Sequence, residues 1–206
     1  MKIGIMGGTF DPIHIGHLLL AQFAYEECAL DEIWFLPNGN PPHKQTKEGQ
    51  DALAHRVEMV RLATDDVPYF KLCLHESRIN RHSYTYKTMQ ELNALYPENE
   101  FYFILGADSL FAIEEWRNFR EIFPSCIILA AVRDDKDADD MKMQTVYLEQ
   151  EYNARISLLK APQLEISSTT IRERAEKGLS IHYMVPDSVA DYIEKNHLYH
   201  AKDKKQ

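Results

Sequence analysis

The residues best suited to chemistry lie near the start of the chain, where 7–17 reads Gly-Gly-Thr-Phe-Asp-Pro-Ile-His-Ile-Gly-His after a short apolar run. A buried strand that breaks at two glycines and enters a helix leaves N–H groups uncovered at the helix start, where the helix dipole favours anions. His14 and His17, three residues apart, add side-chain donors on one helical face, and Gly16 between them leaves room for close approach. The pattern predicts a phosphate site.

Other interpretations of this segment are weaker. Two glycines alone are more typical of a tight turn, and a single histidine usually packs or is solvated, but the combination has no common structural cause. The glycines do not fit the dinucleotide pattern G-x-G-x-x-G. The histidines could share a metal, but Cys28, Cys73 and Cys126 are scattered and no second ligand pair has zinc-like spacing. The sequence therefore favours an anion site without a protein-bound metal.

A second candidate anion site is the segment 166–172, Ile-Ser-Ser-Thr-Thr-Ile-Arg. Such a polar run before a helix is usually a cap, and Thr170 with Glu173 fits a capping box. Arg172 in a first helical turn opposes the helix dipole, however, and a bound phosphate group would compensate for this. We therefore expect Ser168, Thr170 and Arg172 to bind phosphate oxygens.

Two further positions suit a nucleotide site. Gly106 and Asp108 follow the apolar run 101–105, and a carboxylate at the end of a strand can accept hydrogen bonds from ribose hydroxyls or can cap a helix. Trp116 lies in a polar stretch, where its ring either covers the core or stacks on an electron-poor ring. The residues alone leave both alternatives open.

Composition limits the classes of function. A chain of 206 residues with no linker-like break suggests one domain, which we expect over 1–199, with a flexible tail over 200–206. A net charge of −9 argues against nonspecific nucleic-acid binding. No apolar run approaches bilayer length, no secretory signal is visible, and the unpatterned cysteines fit a reducing compartment. We expect a cytoplasmic protein with no nucleic-acid or membrane partner.

Apolar runs alternate with helical stretches, which predicts an α/β fold: a doubly wound, Rossmann-like parallel sheet with helices on both faces. The predicted strands are 3–6, 33–36, 70–74, 101–105, 127–132 and 156–159. The predicted helices are 14–28, 51–64, 85–96, 141–153, 170–177 and 187–196. The segments 37–50 and 133–140 are predicted loops over the open end of the sheet, where we expect Lys44 to close over a phosphate.

These motifs together resemble a known family. The N-terminal segment is similar to the nucleotidyltransferase superfamily with an H-x-G-H signature, and the resemblance narrows downstream to bacterial nicotinate-mononucleotide adenylyltransferases. It spans Met1 to about Tyr199. The downstream motifs are Pro-Pro-His-Lys ending at Lys44, 83–88, 103–108, Trp116 and 166–172; the last of these marks the superfamily, and the resemblance narrows on the middle ones.

The resemblance implies transfer of AMP from ATP to nicotinate mononucleotide, giving deamido-NAD and pyrophosphate. It implies Mg²⁺ bound through the ATP phosphates and water, because this hard cation prefers such oxygen ligands. The catalytic residues that it implies are His14, His17 and Arg172. The ATP-binding residues are Gly8, Thr9, Phe10, Gly106, Asp108, Ser168 and Thr170. The acceptor-binding residues are Lys44, Tyr84, Thr85, Trp116 and Arg133, although family members often carry Arg-Pro-Gly where this chain has Arg-Asp-Asp at 133–135.

Two alternative functions remain open at this point. One is nucleotidyl transfer to another phosphorylated acceptor, such as phosphopantetheine, against which the motifs at 83–88 and Trp116 argue. The other is a nucleotide-binding regulatory module that has lost turnover. A class I tRNA-synthetase domain shares the H-x-G-H signature, but this compact acidic chain lacks room for an anticodon-binding part. The sequence also leaves a homo-oligomer open.

Overall fold

The computed structural model describes residues 1–39, 49–77, 83–132, 135–162 and 164–200. Its strands are β1 (Lys2–Gly8), β2 (Glu32–Pro37), β3 (Phe70–Leu72), β4 (Glu100–Gly106), β5 (Ile127–Ala131) and β6 (Ile156–Leu159). Its helices are α1 (Ile15–Glu27), α2 (Gly49–Thr64), α3 (Thr85–Leu95), α4 (Ala107–Phe111), α5 (Asp135–Tyr152), α6 (Ser168–Glu176) and α7 (Asp187–Lys195). Short 3₁₀ turns lie at Ile113–Glu115, Phe119–Glu121 and Phe123–Ser125.

All six strands pair in parallel, in the order β3-β2-β1-β4-β5-β6. The chain builds outward from β1 to one edge and then returns to the other side of β1, where it adds β4. The carboxyl ends of β1 and β4 therefore lie side by side at the point where the strand order reverses, which is where doubly wound sheets bind ligands. The predicted fold class is confirmed.

The core divides between the two faces of the sheet. On one face Met6 and Phe35 pack with buried residues of α1, α2, α6 and α7. On the other face Ile5 and Phe103 pack with buried residues of α3, α4 and α5. Helices thus cover both faces, as predicted, and the central strands β1, β4 and β5 are nearly continuous apolar runs because both of their faces are buried.

Some predicted boundaries are wrong. The structure begins α5 at Asp135, so most of the loop predicted over 133–140 is helical. The aspartates of this segment, which suggested a loop, lie near a helix start, where the dipole favours negative charge. Likewise β3 ends at Leu72 instead of the predicted position 74, and α2 begins at Gly49 instead of the predicted position 51. The division into one domain and a tail stays a prediction, since 201–206 lie outside the described residues.

None of the helices that the described ranges contain is long and apolar enough to cross a membrane.

Candidate functional site

The turn between β1 and α1 is shaped by a glycine and a strained phenylalanine. Phe10 has a positive φ of 50°, in the left-handed region that non-glycine residues seldom adopt. Its side chain is only 2% exposed, and its ring packs edge-on against the His17 ring, with centroids 5.1 Å apart. A Cβ at Gly8 would lie 3.0 Å from the Phe10 ring. Glycine at position 8 therefore lets the Phe10 ring fold back beneath the turn.

The two predicted histidines form one unit at the start of α1. His14 is the N-cap and His17 is the third residue of the helix, and their rings stack with centroids 3.7 Å apart. The backbone N–H of His14 donates to Nδ1 of His17 at 3.3 Å. Because Nδ1 accepts, the neutral His17 ring carries its proton on Nε2. Gly16 accommodates the pair, since a Cβ there would lie 3.1 Å from Nδ1 of His14.

Both imidazoles are neutral near pH 7. Burial lowers the pKa of His14 to about 4. Burial, with a smaller contribution from nearby His14, lowers the pKa of His17 to about 3. Within the described part of the chain, the buried Nδ1 of His14 has no hydrogen-bond partner. The pair therefore offers neutral N–H donors.

The start of α6 is fastened to the same turn. The Ser168 hydroxyl donates to the Pro12 carbonyl at 2.9 Å, and Nη1 of Arg172 donates to the Asp11 carbonyl at 2.7 Å. Nη1 also lies 3.8 Å from the Asp11 carboxylate. Two predicted anion motifs that are more than 150 residues apart in sequence thus share one location.

The cap of α6 differs from the prediction. The Ser167 hydroxyl accepts the Thr170 N–H at 3.1 Å, and the two hydroxyls are 2.9 Å apart. Ser167 is therefore the N-cap, and the capping box predicted for Thr170 and Glu173 is wrong. Thr170 is exposed, and its predicted role at a phosphate stays a prediction.

The predicted ribose-binding residues lie beside the turn. Gly106 ends β4 and is the N-cap of α4, and Asp108 is exposed in the first turn of that helix. Apart from its own chain neighbours, no atom of the described residues lies within 4 Å of a Cβ placed at Gly106. Because β4 is the neighbour of β1, this open position and the Asp108 carboxylate share the sheet edge with the glycine turn. Asp108 is not the helix cap.

The predicted acceptor residues are partly described. Tyr84 is the N-cap of α3 and Thr85 its first residue. Trp116 is half-buried and packs edge-on against Phe103 of β4, with ring centroids 6.1 Å apart. Trp116 thus contributes to the core while part of its ring remains accessible. Lys44 and Arg133 lie outside the described residues.

Sequence reasoning missed two residues that touch the turn. Arg56 on α2 donates from Nη1 to the Thr9 carbonyl at 2.6 Å and from Nη2 to the Asn38 carbonyl at 2.8 Å. The Tyr199 hydroxyl donates to Oδ1 of Asp11 at 2.7 Å, and burial is the main cause that raises its pKa. Arg56 did leave a signal, because it precedes Met59, Val60 and Ala63 at helical spacing on the buried face.

No group of three or more His, Cys, Asp or Glu side chains in the described ranges could hold a metal ion. The polar groups around the turn are mostly N–H, hydroxyl and guanidinium donors. This donor set suits phosphate oxygens.

Residues 5–174 match the family described as Cytidylyltransferase-like. Three relatives carry the name "Probable nicotinate-nucleotide adenylyltransferase". That of Lachnoclostridium phytofermentans is 44% identical over 96% of this chain and 98% of its own length. That of Exiguobacterium sibiricum is 42% identical over 97% and 99%, and that of Clostridium perfringens is 40% identical over 96% and 98%.

Solved structures share the fold. The Plasmodium falciparum nicotinic acid mononucleotide adenylyltransferase complexed with NaAD superposes with a TM-score of 0.75, at 23% identity over 96% of this chain and 97% of that chain. A Vibrio parahaemolyticus protein described as a putative nicotinate-nucleotide adenylyltransferase gives 0.67, at 17% identity over 98% and 96%. The chain therefore belongs to the Cytidylyltransferase-like family and, within it, to the group of the nicotinate-nucleotide adenylyltransferases.

Proposed function

We propose that the protein transfers the adenylyl group of ATP to nicotinate mononucleotide, releasing pyrophosphate and forming deamido-NAD. The observation that carries the proposal is the joining of two donor clusters, the turn before α1 and the start of α6, through Ser168 and Arg172. Their location beside the carboxyl end of β4, and the 40–44% identity to relatives with this activity in their name, support the same reaction.

The chemistry needs donors rather than a base. The attacking oxygen belongs to a phosphate that is already ionised near neutral pH, so no proton must be removed from it. The enzyme must hold two polyanions in line and stabilise the charge that builds on the departing pyrophosphate. Imidazoles with pKa values of about 4 and about 3 are weak bases, and as neutral donors they suit this role.

Each donor group takes one part of ATP in this proposal. His14, His17 and the N–H groups of 8–10 contact the reacting phosphate, with Phe10 as the residue whose backbone the turn holds in a strained conformation. Ser168, Thr170 and Arg172 hold the β and γ phosphates. The Asp108 carboxylate accepts from the ribose hydroxyls, and Gly106 leaves space beside it.

The acceptor lies on the other side of the β4 end. The half-buried Trp116 ring stacks on the nicotinate ring, which is electron-poor and suits an aromatic partner. The start of α3, at Tyr84 and Thr85, binds the ring carboxylate, because backbone N–H groups at a helix start favour an anion. Lys44 and Arg133 complete the acceptor phosphate site in this assignment.

Nucleotidyltransferases of this kind generally use a divalent metal. We assign Mg²⁺ bound through ATP, which neutralises charge on the phosphate oxygens. We also assign the protein to the cytoplasm, which its acidic composition and its free cysteines support.

The test is a comparison of acceptors. Pyrophosphate release is measured with ATP and, in turn, nicotinate mononucleotide, nicotinamide mononucleotide and phosphopantetheine, with the deamido-NAD product identified by chromatography. We expect the highest kcat/KM with nicotinate mononucleotide. A preference for phosphopantetheine would mean that nicotinate mononucleotide is not the acceptor. If the protein binds ATP but releases no pyrophosphate with any of the three acceptors, it is a nucleotide-binding module without turnover.

A further inference from the structure

Arg56 ties together two loops at the carboxyl edge of the sheet. Its guanidinium donates to the Thr9 carbonyl, after β1, and to the Asn38 carbonyl, after β2. The Asn38 N–H in turn donates to the Gly8 carbonyl at 2.9 Å. One side chain therefore closes a short network of hydrogen bonds directly beneath the glycine turn.

The charge of Arg56 is unusual for its surroundings. The residue is only 4% exposed, and its Nε has no hydrogen-bond partner among the described residues. No described carboxylate lies within 4.0 Å of the Arg56 guanidinium, and its two hydrogen-bond partners are neutral carbonyls. Asp11 acts on Arg56 only through longer-range attraction. Burial of a charge without an ion-pair partner is costly. The fold therefore keeps a positive charge under the turn at a cost in stability.

The bond to Thr9 also sets the direction of an N–H group. The peptide that joins Thr9 to Phe10 is planar and trans, so its C=O and its N–H point in opposite directions. Because Arg56 holds the carbonyl from the core side, the Phe10 N–H faces away from the core. No hydrogen bond among the residues that the structure describes uses this N–H.

Without the hydrogen bond from Arg56, the Thr9–Phe10 peptide would relieve its backbone strain by rotating. A left-handed φ at a non-glycine residue is strained and persists only where the surroundings impose it. Arg56 and the buried Phe10 ring both hold the Thr9–Phe10 peptide in this conformation.

We propose that Arg56 is a positioning residue for the triphosphate: it aims the Phe10 N–H at the nucleotide and places a positive charge beneath the bound phosphates. The inference rests on the proposed function for the identity of the ligand as ATP. It assigns Arg56 no contact with substrate.

The test compares Arg56→Met and Arg56→Lys with Arg61→Met. Arg61 lies on the same helix but is exposed and paired with Glu58, so its variant removes equal charge from the outer face. We expect Arg56→Met to raise the KM for ATP roughly tenfold or more, as befits loss of a charged hydrogen bond. The KM for nicotinate mononucleotide should not change. Arg56→Lys should recover part of the ATP effect, and Arg61→Met should show none.

A purely structural role predicts another pattern. Both Arg56 variants would then melt at lower temperature while the KM for ATP stayed at the wild-type value below that temperature, and this result would overturn the inference. Should Arg56→Met fail to fold, Arg56→Lys and the wild-type protein still decide the matter. The ¹⁵N-labelled wild type, titrated with α,β-methylene ATP, should show a large shift of the Phe10 amide resonance, and an unmoved resonance would refute the proposed aim.

Failure of this inference can be told apart from failure of the proposed function. If the Arg56 variants keep the wild-type KM for ATP while His17→Ala loses turnover, the ATP site stands and only the role of Arg56 falls. If His17→Ala is also fully active, the assignment of the turn to ATP is wrong.

Discussion

The His14 and His17 rings stack with their centroids 3.7 Å apart and their planes inclined by 29°, and this arrangement excludes two charged imidazoles. Two cations at that separation would repel each other, and burial opposes even one. The pair is therefore a neutral donor set as long as no anion is bound. A triphosphate placed against it would raise the pKa of both rings, because it would stabilise their protonated forms.

The histidine pair makes the fold sensitive to acid. In the unfolded chain both histidines take up protons near pH 6.5, whereas in the native state His14 does so near pH 4 and His17 near pH 3. Their contribution to stability is therefore complete above pH 6.5 and is lost as the pH falls toward 4. Each histidine should reduce the free energy of unfolding by about 1.4 kcal/mol per pH unit inside that window. Urea unfolding at pH 7.5, 6 and 5 measures this slope.

The control for the acid effect is the double variant His14→Asn, His17→Asn, compared with the wild type over the same pH range. Below pH 6.5 the free energy of unfolding of the double variant should fall less steeply with pH than that of the wild type, by an amount that corresponds to up to two protons. An identical slope in the double variant and the wild type would mean that other groups cause the acid sensitivity.

Removal of the His17 donor should affect turnover more than folding. We expect His17→Ala to lower kcat by about a hundredfold or more, the usual effect of losing a preorganised donor to a developing charge. His17→Asn, which keeps an N–H donor, should recover part of the loss. The measurements are kcat from pyrophosphate release and the melting temperature of each variant. A melting temperature that falls in proportion to kcat would assign His17 to structure instead.

Two neighbouring serines separate capping from phosphate binding. Ser167→Ala removes the oxygen that accepts the Thr170 N–H and should cost about 1 kcal/mol of stability with little change in the KM for ATP. Ser168→Ala removes the hydroxyl that reaches Pro12 and that we assign to ATP, so it should raise the KM for ATP. Both variants replace a serine by alanine at adjacent positions, so the chemical change is the same in each. Equal KM values would withdraw Ser168 from the ATP site.

Much of the fold was predictable because buried parallel strands leave a strong signal. All six predicted strands exist, and the central strands β1, β4 and β5, which are covered on both faces, are apolar along most of their length. The start of α5 was not predictable in the same way, because aspartates are common both in loops and near helix starts. The cap of α6 was misplaced by three residues, since Ser167 and Thr170 are both good cap residues and only the backbone distinguishes them.

The site was predictable only as far as its residues follow local patterns. The glycine turn and the stacked histidines depend on neighbours in sequence. The bond between Tyr199 and Asp11 spans 188 positions and follows from tertiary packing alone. Arg56 was not predicted, because a charged residue that shares a helix face with apolar residues is ordinarily assigned to the edge of the polar face.

Glu76, a buried carboxyl group at the approach to α3, should make the fold less stable as the pH rises above the ordinary carboxyl pKa. Glu76 is 6% exposed, and its Oε1 accepts the Thr88 hydroxyl at 2.6 Å. Burial raises its pKa above the ordinary value, while the Thr88 hydrogen bond opposes that change in part. Because the native state holds this proton more tightly than the unfolded chain does, the contribution of Glu76 to stability is present at low pH. It is lost as the pH rises through the native pKa.

Glu76→Gln tests this, because the amide keeps an oxygen for Thr88 and cannot ionise. Relative to the wild type, the variant should gain stability between pH 5 and pH 8 in urea unfolding. Glu58→Gln is the matched control of opposite sign, since the hydrogen bond from Arg61 lowers the pKa of Glu58 and its ionised form is the favoured one. Thr88→Val should instead destabilise the fold, and most at high pH, because it removes the Thr88 hydroxyl that donates to the ionised carboxylate. A Glu76→Gln curve parallel to the wild type would show that Glu76 keeps the same charge in both states.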